Sequence, residues 1–392
     1  MPDGQEPIAV KVLGRLDEVA AAEWDACAGT DDPFVSHGFL AALEDSGSVG
    51  GDSGWLPQHL VVEDAAGGLM GAAPLYLKGH SYGEYVFDWS WADAYERASG
   101  RYYPKLQCAV PFTPVTGRRL LVRPGADAAR TESTLVTGMI ELARRHRVSS
   151  LHVTFPTQNQ WWRLGEAGLL LREATQFHWQ NRGYGTFEDF LADLTARKRK
   201  AIRKERRQAV RDGLRLRVLS GDQIEPRHWD AFHRFYSATS DRKWGYPYLN
   251  REFFHRLGDA MAERVALVMA ESEGRLVAGA LNLIGSEALY GRNWGCLGDY
   301  KFLHFEACYY QAIEFAIARG LERVEAGAQG PHKLQRGYLP VPTYSAHWFR
   351  DPGLHRAVAQ FLKQERVMVA QEHRALAAHS PFRKGDGDGQ SG

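Results

Sequence analysis

The chain has 392 residues, 44% hydrophobic and 24% charged, the composition of a globular protein able to bury a sizeable core, and its length favours two domains over one. A formal net charge of +1 excludes a whole-molecule field directed at a polyanion, so any such partner has to be met by local clustering. Cys27, Cys108, Cys296 and Cys308 form no C-x-x-C pair and no metal-like set with nearby histidines, which leaves reduced thiols and no metal as the expectation.

The first residues, MPDGQEPIAVKV, lack the basic and apolar regions of a signal peptide, and no segment reaches the run of roughly 18 apolar residues that a membrane span needs. A cytoplasmic protein without a membrane span is therefore expected. Ile8–Leu13 reads as a strand, Leu16–Cys27 as a helix containing Trp24-Asp25-Ala26, and Ser36–Glu44 as a second helix with Ser36 as N-cap. After a glycine-rich loop at Ser46–Gly54, His59–Gly79 carries two apolar strands joined by a Gly-rich turn. Ser81–Leu121, crowded with aromatics and prolines, is either a substrate-lining lobe or an excursion that packs its rings on the sheet.

The second half repeats this plan. Trp229-Asp230-Ala231 opens a helix, another surrounds Glu252–Leu257, and a hairpin follows at Val265–Gly285, with Glu271 and Gly279 spaced as Glu63 and Gly71 are in the first. Further on, Met139–Ala143 leading to Leu151-His152-Val153 matches Ala312–Ala316 leading to Val324-Glu325-Ala326. Three matched pieces in one order indicate a duplicated domain. The halves are placed at 1–175, with an insertion at 81–121, and at 176–378; the polar, Gly/Asp-rich 379–392 is expected to be a disordered tail.

Between the halves lies TARKRKAIRKERRQAVRD, 195–212, with nine Lys/Arg and one internal acid between Arg197 and Arg211. Strong helix formers dominate it and Gly213 follows. Arg197, Lys200, Lys204, Arg207 and Arg211 share one side at spacings of three and four, with Arg203 beside them. Such a helix is either a solvated linker or a phosphate-docking element, and the lack of alternating acids at i,i+4 favours docking. No aromatic interleaves with the cations, so the contact would be to a nucleic-acid backbone rather than to stacked bases.

Ligand-facing groups are densest from Leu289 to Trp348, where a helix at Phe305–Ala318, stopped by Arg319-Gly320, is flanked by short glycine-punctuated strands. Ligands of open α/β sheets bind beyond strand ends, and Gly291, Gly295, Gly327 and Gly330 suggest close backbone approach there. Lys333 and Arg336 are candidates for stabilising transition-state charge, and His332 for moving a proton. Arg292, Asn293, Trp294, His304, Glu306, Gln329 and Tyr338 are candidates for the substrate wall, although a carboxylate at the start of a helix, as at Glu306, also has a purely structural reading.

The strings DPFVSHGFLAALEDSGSVG, YYPKLQCAVPFTPVTGRRLL, RKRKAIRKERR, LHFEACYYQAIEFAI and EAGAQGPHKLQRGYLPVPTYSAHW resemble those of the FemAB-like predicted N-acyltransferases, from about Asp32 to Glu365. The resemblance implies an α/β fold of two tandem GNAT-like domains with mixed central sheets, and an acyltransferase. It implies aminoacyl-tRNA as the donor, tRNA as a partner, a cell-wall precursor or small metabolite as the acceptor, and no permanently bound cofactor. Two departures stand out. The R-x-x-G-x-G/A turn with which GNAT enzymes grip acetyl-CoA is replaced at Lys301–Glu306 by KFLHFE, which counts against the alternative acyl-CoA donor. The Phe-Lys pair that precedes a Gly-aromatic in Fem-type transferases reads Leu334-Gln335 before Gly337-Tyr338, with Lys333 two places earlier. A non-catalytic protein that recognises a cell-wall or peptide ligand is the reading from another class.

Overall fold

A computed structural model describes residues 9–211, 213–243, 246–328 and 330–383, with the backbone alone for 241–243. The elements run β1 (Ala9–Leu13), α1 (Ala21–Ala28), α2 (His37–Asp45), β2 (Trp55–Pro57), β3 (His59–Glu63), β4 (Leu69–Ala73), β5 (Leu75–Lys78), α3 (Trp89–Arg97), β6 (Lys105–Cys108), β7 (Leu121–Val122), α4 (Ala128–Arg145), β8 (Ser150–Thr154), α5 (Gln158–Glu166), β9 (Leu170–Gln180), α6 (Phe187–Asp193) and α7 (Ala196–Ala209). They continue as β10 (Arg215–Leu219), α8 (Pro226–Lys243), α9 (Arg251–Met261), β11 (Val265–Ser272), β12 (Arg275–Ile284), β13 (Ala288–Cys296), α10 (Leu303–Phe305), a π-turn (Glu306–Tyr310), α11 (Gln311–Ala318), β14 (Arg323–Glu325), β15 (Leu339–Phe349) and α12 (Pro352–Ala377).

The strand, two helices, hairpin, strand, helix and strand expected of each half occur twice, as β1-α1-α2-β3-β4-β7-α4-β8 and as β10-α8-α9-β11-β12-β13-α10/α11-β14. Local signals place the ends. Ser36 accepts a hydrogen bond from the Phe39 N–H at 3.3 Å and opens α2, Thr186 and Asp189 form a reciprocal capping box on α6, and Gly320 in the left-handed region stops α11. Both hairpins carry a register shift beside the matched acid, at Val62/Glu63 and at Ala270/Glu271.

Two compact units emerge. The first holds residues up to 174 together with 248–261 and 342–369; the second holds 175–247, 262–341 and the C-terminal stretch from 370. A single crossing at 175/176 was expected, yet α9 and the C-terminal part of β15 belong to the first unit. There Phe253 of α9 meets Phe39 of α2 edge-on at 5.9 Å, and Ser345–Phe349 pairs antiparallel with β8. Apolar contact across the helix pair, which aromatic periodicity alone does not assign to a partner, decides this membership.

In the first unit β1-β3-β4-β7 form an antiparallel sheet, and β8 is flanked by β15 and, in parallel, by β6, which continues to β5 and β2. Leu60, Val62, Leu106, Leu135, Met139, Leu151, Val153 and Trp161 fill the core between sheet and α4. The 81–121 insertion folds back: Trp91 and Tyr102 are buried, while Tyr82, Phe87 and Trp89 remain exposed. It is fastened by a fully buried ammonium, for Lys105 Nζ donates to Ser81 Oγ at 2.7 Å, Glu84 Oε2 at 2.8 Å and Asp88 Oδ2 at 2.5 Å. Burial pushes the Glu84 carboxyl up to about 7 and, in neighbouring Lys78, the ammonium down to about 7. At Asp88 burial opposes the charge, but Lys105 overrides it and holds the carboxyl below its ordinary range.

In the second unit the order is β10-β11-β12-β13-β14-β9, antiparallel except for the parallel pair β13/β14. Trp179, Phe190, Leu191, Ile202, Tyr310, Ile313 and Val324 pack its core. The tail expected to be disordered from His379 is instead placed through Arg383: Phe382 is buried against Phe190, bridges Leu194, and Pro381 accepts the Thr195 N–H. Residues 384–392 lie outside the described residues. Among the described residues no helix is long and apolar enough to cross a membrane.

Replacing Lys105 with Met leaves two carboxylates buried without their cation, a change that typically costs about 3–5 kcal/mol. We expect Lys105→Met to lower the urea midpoint accordingly, and Glu84→Gln/Asp88→Asn/Lys105→Met to recover a good part of the loss.

Candidate functional site

The site grows from a divergence of two strands. β13 pairs with β14 only over Ala288–Tyr290 against Arg323–Glu325; beyond Tyr290 it continues to Cys296 beside β12 alone, while the chain after Glu325 turns away. On the β12 side the register shifts between Leu281 and Asn282, so that Asn282 faces Gly291, Leu281 faces Asn293, and Arg292 is the extra, bulged residue. The opened wedge is a cleft of about 80 Å³ lined by Ala280, Leu281, Asn282, Gly291, Arg292, Asn293, Trp294, His304, Cys308, Tyr309 and Ala326.

Of the residues expected here, Arg292, Asn293, Trp294 and His304 line the cleft. The His304 ring sits 5.4 Å from both Trp294 and Tyr309, and His332, exposed in the turn that follows β14, shares a 2.9 Å hydrogen bond between its Nε2 and the Tyr309 hydroxyl. Lys333 is buried behind this wall, its ammonium donating to the Gly327 carbonyl at 2.8 Å. Burial pushes it down to about 8, against a small opposing pull from Cys308.

Glu306, Arg336 and Tyr338 are brought to the same region but turned away from the cleft into supporting contacts. Glu306 receives Arg206 and the Gln311 amide, at 2.8 Å for the amide, which is the structural reading of a carboxylate at that position. Arg336 forks Glu205 at 2.8 and 3.2 Å, donates to the His332 carbonyl at 2.8 Å and lies 3.5 Å over the Phe305 ring. Tyr338 is fully buried with its hydroxyl on the Tyr309 carbonyl. Gln329 lies outside the described residues.

The expected glycine role is corrected at Gly295. A Cβ there would come within 2.1–2.3 Å of the Phe235 and Tyr236 backbone of α8, so this glycine lets a helix lie on the sheet rather than a ligand enter it. Gly291 has ordinary room, its nearest neighbours being Asn282 and the Glu325 carbonyl at 3.4 Å.

Cys308 and Tyr309 were missed by sequence reasoning because they read as part of an apolar helical stripe. The π-turn, which adds a residue to one helical turn, swings them into the cleft. Also missed were His178 and Glu325, with Nε2 3.6 Å from Oε2, at the closed end of the wedge where β9 pairs with β14. Burial pushes His178 below its ordinary value, and Arg323 and Lys333 add to this against the pull of Glu325.

The basic segment is helical over Ala196–Ala209, shorter than the 195–212 expected, and Arg211 falls beyond its end. Arg197, Lys200, Arg203, Lys204, Arg207 and Arg211 are all exposed. Arg203 pairs with Glu188; the other five make no ion pair among the described residues. The helix is seated through Ile202 and Ala209 and through Arg206, which turns inward to Glu306 and Glu314. A row of exposed cations therefore runs along a helix packed on the segment that walls the cleft.

The wedge leaves the edge of the bulged β13 uncovered beyond Tyr290, with the hydrogen-bonded Tyr309–His332 pair beside it. Among the described residues no three His, Cys, Asp or Glu side chains gather into a metal-ligand group.

A family model for FemAB-like proteins, described by peptidoglycan biosynthesis/recognition, matches residues 15–384. No curated protein matches the chain in sequence. Among solved structures, FemX aligns with TM-score 0.54 and 11% identity over 87% of this chain and 98% of its own. The C-terminal domain of a protein assigned as a lysylphosphatidylglycerol synthetase, from Agrobacterium fabrum, aligns with TM-score 0.53 and 10% identity over 88% and 95%. A tandem GNAT protein from the clavulanic acid biosynthesis pathway aligns with TM-score 0.47 and 14% identity over 88% and 99%. At these identities the likeness is one of fold: mixed α/β, of the FemX type and with the repeated plan set out above.

Lowered to about 8, the Lys333 amine is neutral above that pH, whereas a free lysine side chain remains charged to about 10.4. NMR of the lysine side chains from pH 6 to 11 is expected to give Lys333 a titration midpoint near 8.

Proposed function

Because this chain belongs to the FemAB-like family of peptidoglycan biosynthesis and recognition proteins, we propose that it is an N-acyltransferase whose chemistry takes place in the wedge between β13 and β14. The observation that carries this reading is the parting of the two strands after Tyr290 and Glu325, with Arg292–Trp294, His304 and Tyr309 on its walls. In this reading the donor's carbonyl oxygen points at the uncovered edge of β13 beyond Tyr290. An acceptor amine attacks the carbonyl carbon, its proton passes to the His332–Tyr309 pair and from there to the ester oxygen, and the carbon–oxygen bond breaks to release the donor's ribose hydroxyl and leave the new amide. Lys333, whose charge is weakened by burial, stands behind the wall, where it stabilises the loop around Gly327 and lends positive potential to the developing oxyanion.

The donor in this proposal is an aminoacyl-tRNA. The exposed cations of α7 form a strip suited to a phosphate backbone, which would hold the body of the donor outside the cleft. The acceptor is an amine of a cell-wall precursor or a small metabolite. An acyl-CoA donor is the competing proposal, disfavoured by the absence of a glycine turn at Lys301–Glu306, where Phe302 takes up the left-handed backbone conformation before α10. A catalytically idle recognition protein would use the same fold, with a ligand in the cleft and no turnover.

Filter binding of total tRNA over a salt series tests the donor. We expect affinity to fall steeply with salt, and the log–log slope of Lys200→Ala/Lys204→Ala/Arg207→Ala to be smaller by about 3. Stabilisation by acetyl-CoA in a thermal shift, together with no tRNA retention, would replace the proposed donor. Transfer from a mixed pool of radiolabelled aminoacyl-tRNAs into cell-extract amines, lost in Trp294→Ala/His332→Ala, would identify the product and separate an enzyme from a recognition protein.

A further inference from the structure

Two adjacent residues of α7, Glu205 and Arg206, face inward, and each grips one end of the π-turn. Arg206 meets the first residue, Glu306, through Nε at 3.2 and 3.1 Å and Nη2 at 2.9 Å. Its guanidinium also forks Glu314 of α11 at 2.8 Å through each nitrogen and lies 4.4 Å over the Phe187 ring. Glu205 accepts the hydroxyl of the last residue, Tyr310, while its carboxylate forks Arg336. Between the two grips lie Ala307, Cys308 and Tyr309, of which the latter two line the cleft.

A π-turn is a wide, rarely populated backbone arrangement that persists where surrounding contacts over-determine it. Here the contacts are charge-assisted and partly desolvated, with the Glu306 side chain 3% exposed and Arg336 8% exposed, so they are strong and directional. Arg336 carries the same linkage onward, donating to the His332 carbonyl, and the His332 ring bonds Tyr309. Glu205 thus reaches the proton-handling pair from both sides.

We propose that Glu205 and Arg206 are positioning residues for the cleft: their clamp on the two ends of the π-turn aims Cys308 and Tyr309 into it, and couples the cationic outer face of α7 to the cleft wall. The coupling rests on the reading of α7 as a polyanion-docking helix; the positioning does not. A rigid helix cannot shift its outer face without moving Glu205 and Arg206, so a polyanion that prefers one seating of α7 selects one geometry of the π-turn.

Cys308 supplies the readout, since Cys27, Cys108 and Cys296 are buried and Cys308 is half-buried at the cleft. Intact protein is titrated with 5,5′-dithiobis(2-nitrobenzoate), and the fast thiol is identified by mass spectrometry. Arg206→Met and Glu205→Ala are each expected to change the Cys308 rate by about tenfold while the other three thiols stay protected, and Arg206→Lys, which keeps the cation but spans only one carboxylate, to fall between. Rates within twofold of wild type in all three variants would overturn the positioning. Should Arg206→Met lose its fold, which shows as all four thiols reacting together, Arg206→Lys decides.

The second arm adds saturating total tRNA. The wild-type rate is expected to change, and the fractional change to vanish in Arg206→Met, whose outer face is intact. An equal fractional change in both proteins means simple shielding and overturns the coupling. Absence of tRNA retention overturns the donor reading, and the coupling with it, while leaving the ligand-free difference to stand or fall by itself.

Discussion

A strand pair that stops pairing organises this protein. Backbone groups in a parallel sheet are ordinarily satisfied by the next strand, and a sheet that opens midway must either admit water or hold something else there. β13 and β14 separate after three matched residues, and the surrounding structure is arranged so that the opening survives: a bulge at Arg292 bends β13, Gly295 lets α8 press against its far end, and a wide helical turn supplies the opposite wall. None of these devices improves the packing of the sheet. Each makes sense as part of a permanent gap between two strands.

The charged residues divide by direction rather than by number. In α7 the exposed lysines and arginines face solvent, while the neighbouring Glu205 and Arg206 turn inward and are consumed in ion pairs with Glu306, Glu314 and Arg336 behind the cleft wall. In the first unit Lys105 is wholly buried between two carboxylates and fastens the inserted segment. Buried ion pairs of this kind add little net stability compared with apolar packing, but they are intolerant of alternatives and so specify one arrangement. Both occur where a segment without regular apolar periodicity has to be held in a single position.

Much of this was legible in the sequence where the signal is local. Ser36 as a cap, Arg319-Gly320 as a stop, the repeated Trp-Asp-Ala and the matched hairpins lead directly to the duplicated plan, because capping, left-handed glycine and hairpin alternation act over a few residues. The stretch from Gly291 to Trp294, singled out by its glycines and polar groups, forms one wall of the cleft. What stayed hidden depends on contacts distant in sequence or on a change of helical period. The period of 3.6 assigns Cys308 and Tyr309 to a buried stripe, and only the extra residue of the π-turn brings them to the cleft. Arg206 is indistinguishable from its neighbours within a charge run until Glu306 and Glu314 are seen opposite it. Gly295 was credited to a ligand because nothing local reveals that α8 crosses there.

The helix α9 belongs in sequence to the later repeat yet packs within the earlier unit, against α2, and Asn250 at its start donates to the Ser46 carbonyl at 2.6 Å. The two compact units are therefore interleaved in the chain: cutting between the repeats would leave the leading fragment with a bare apolar face on α2 and take Phe39 away from Phe253 of the trailing fragment. Because α2 and α9 hold the same place in the two repeats, their contact is one that a chain with a single copy of the plan could make only with a second molecule.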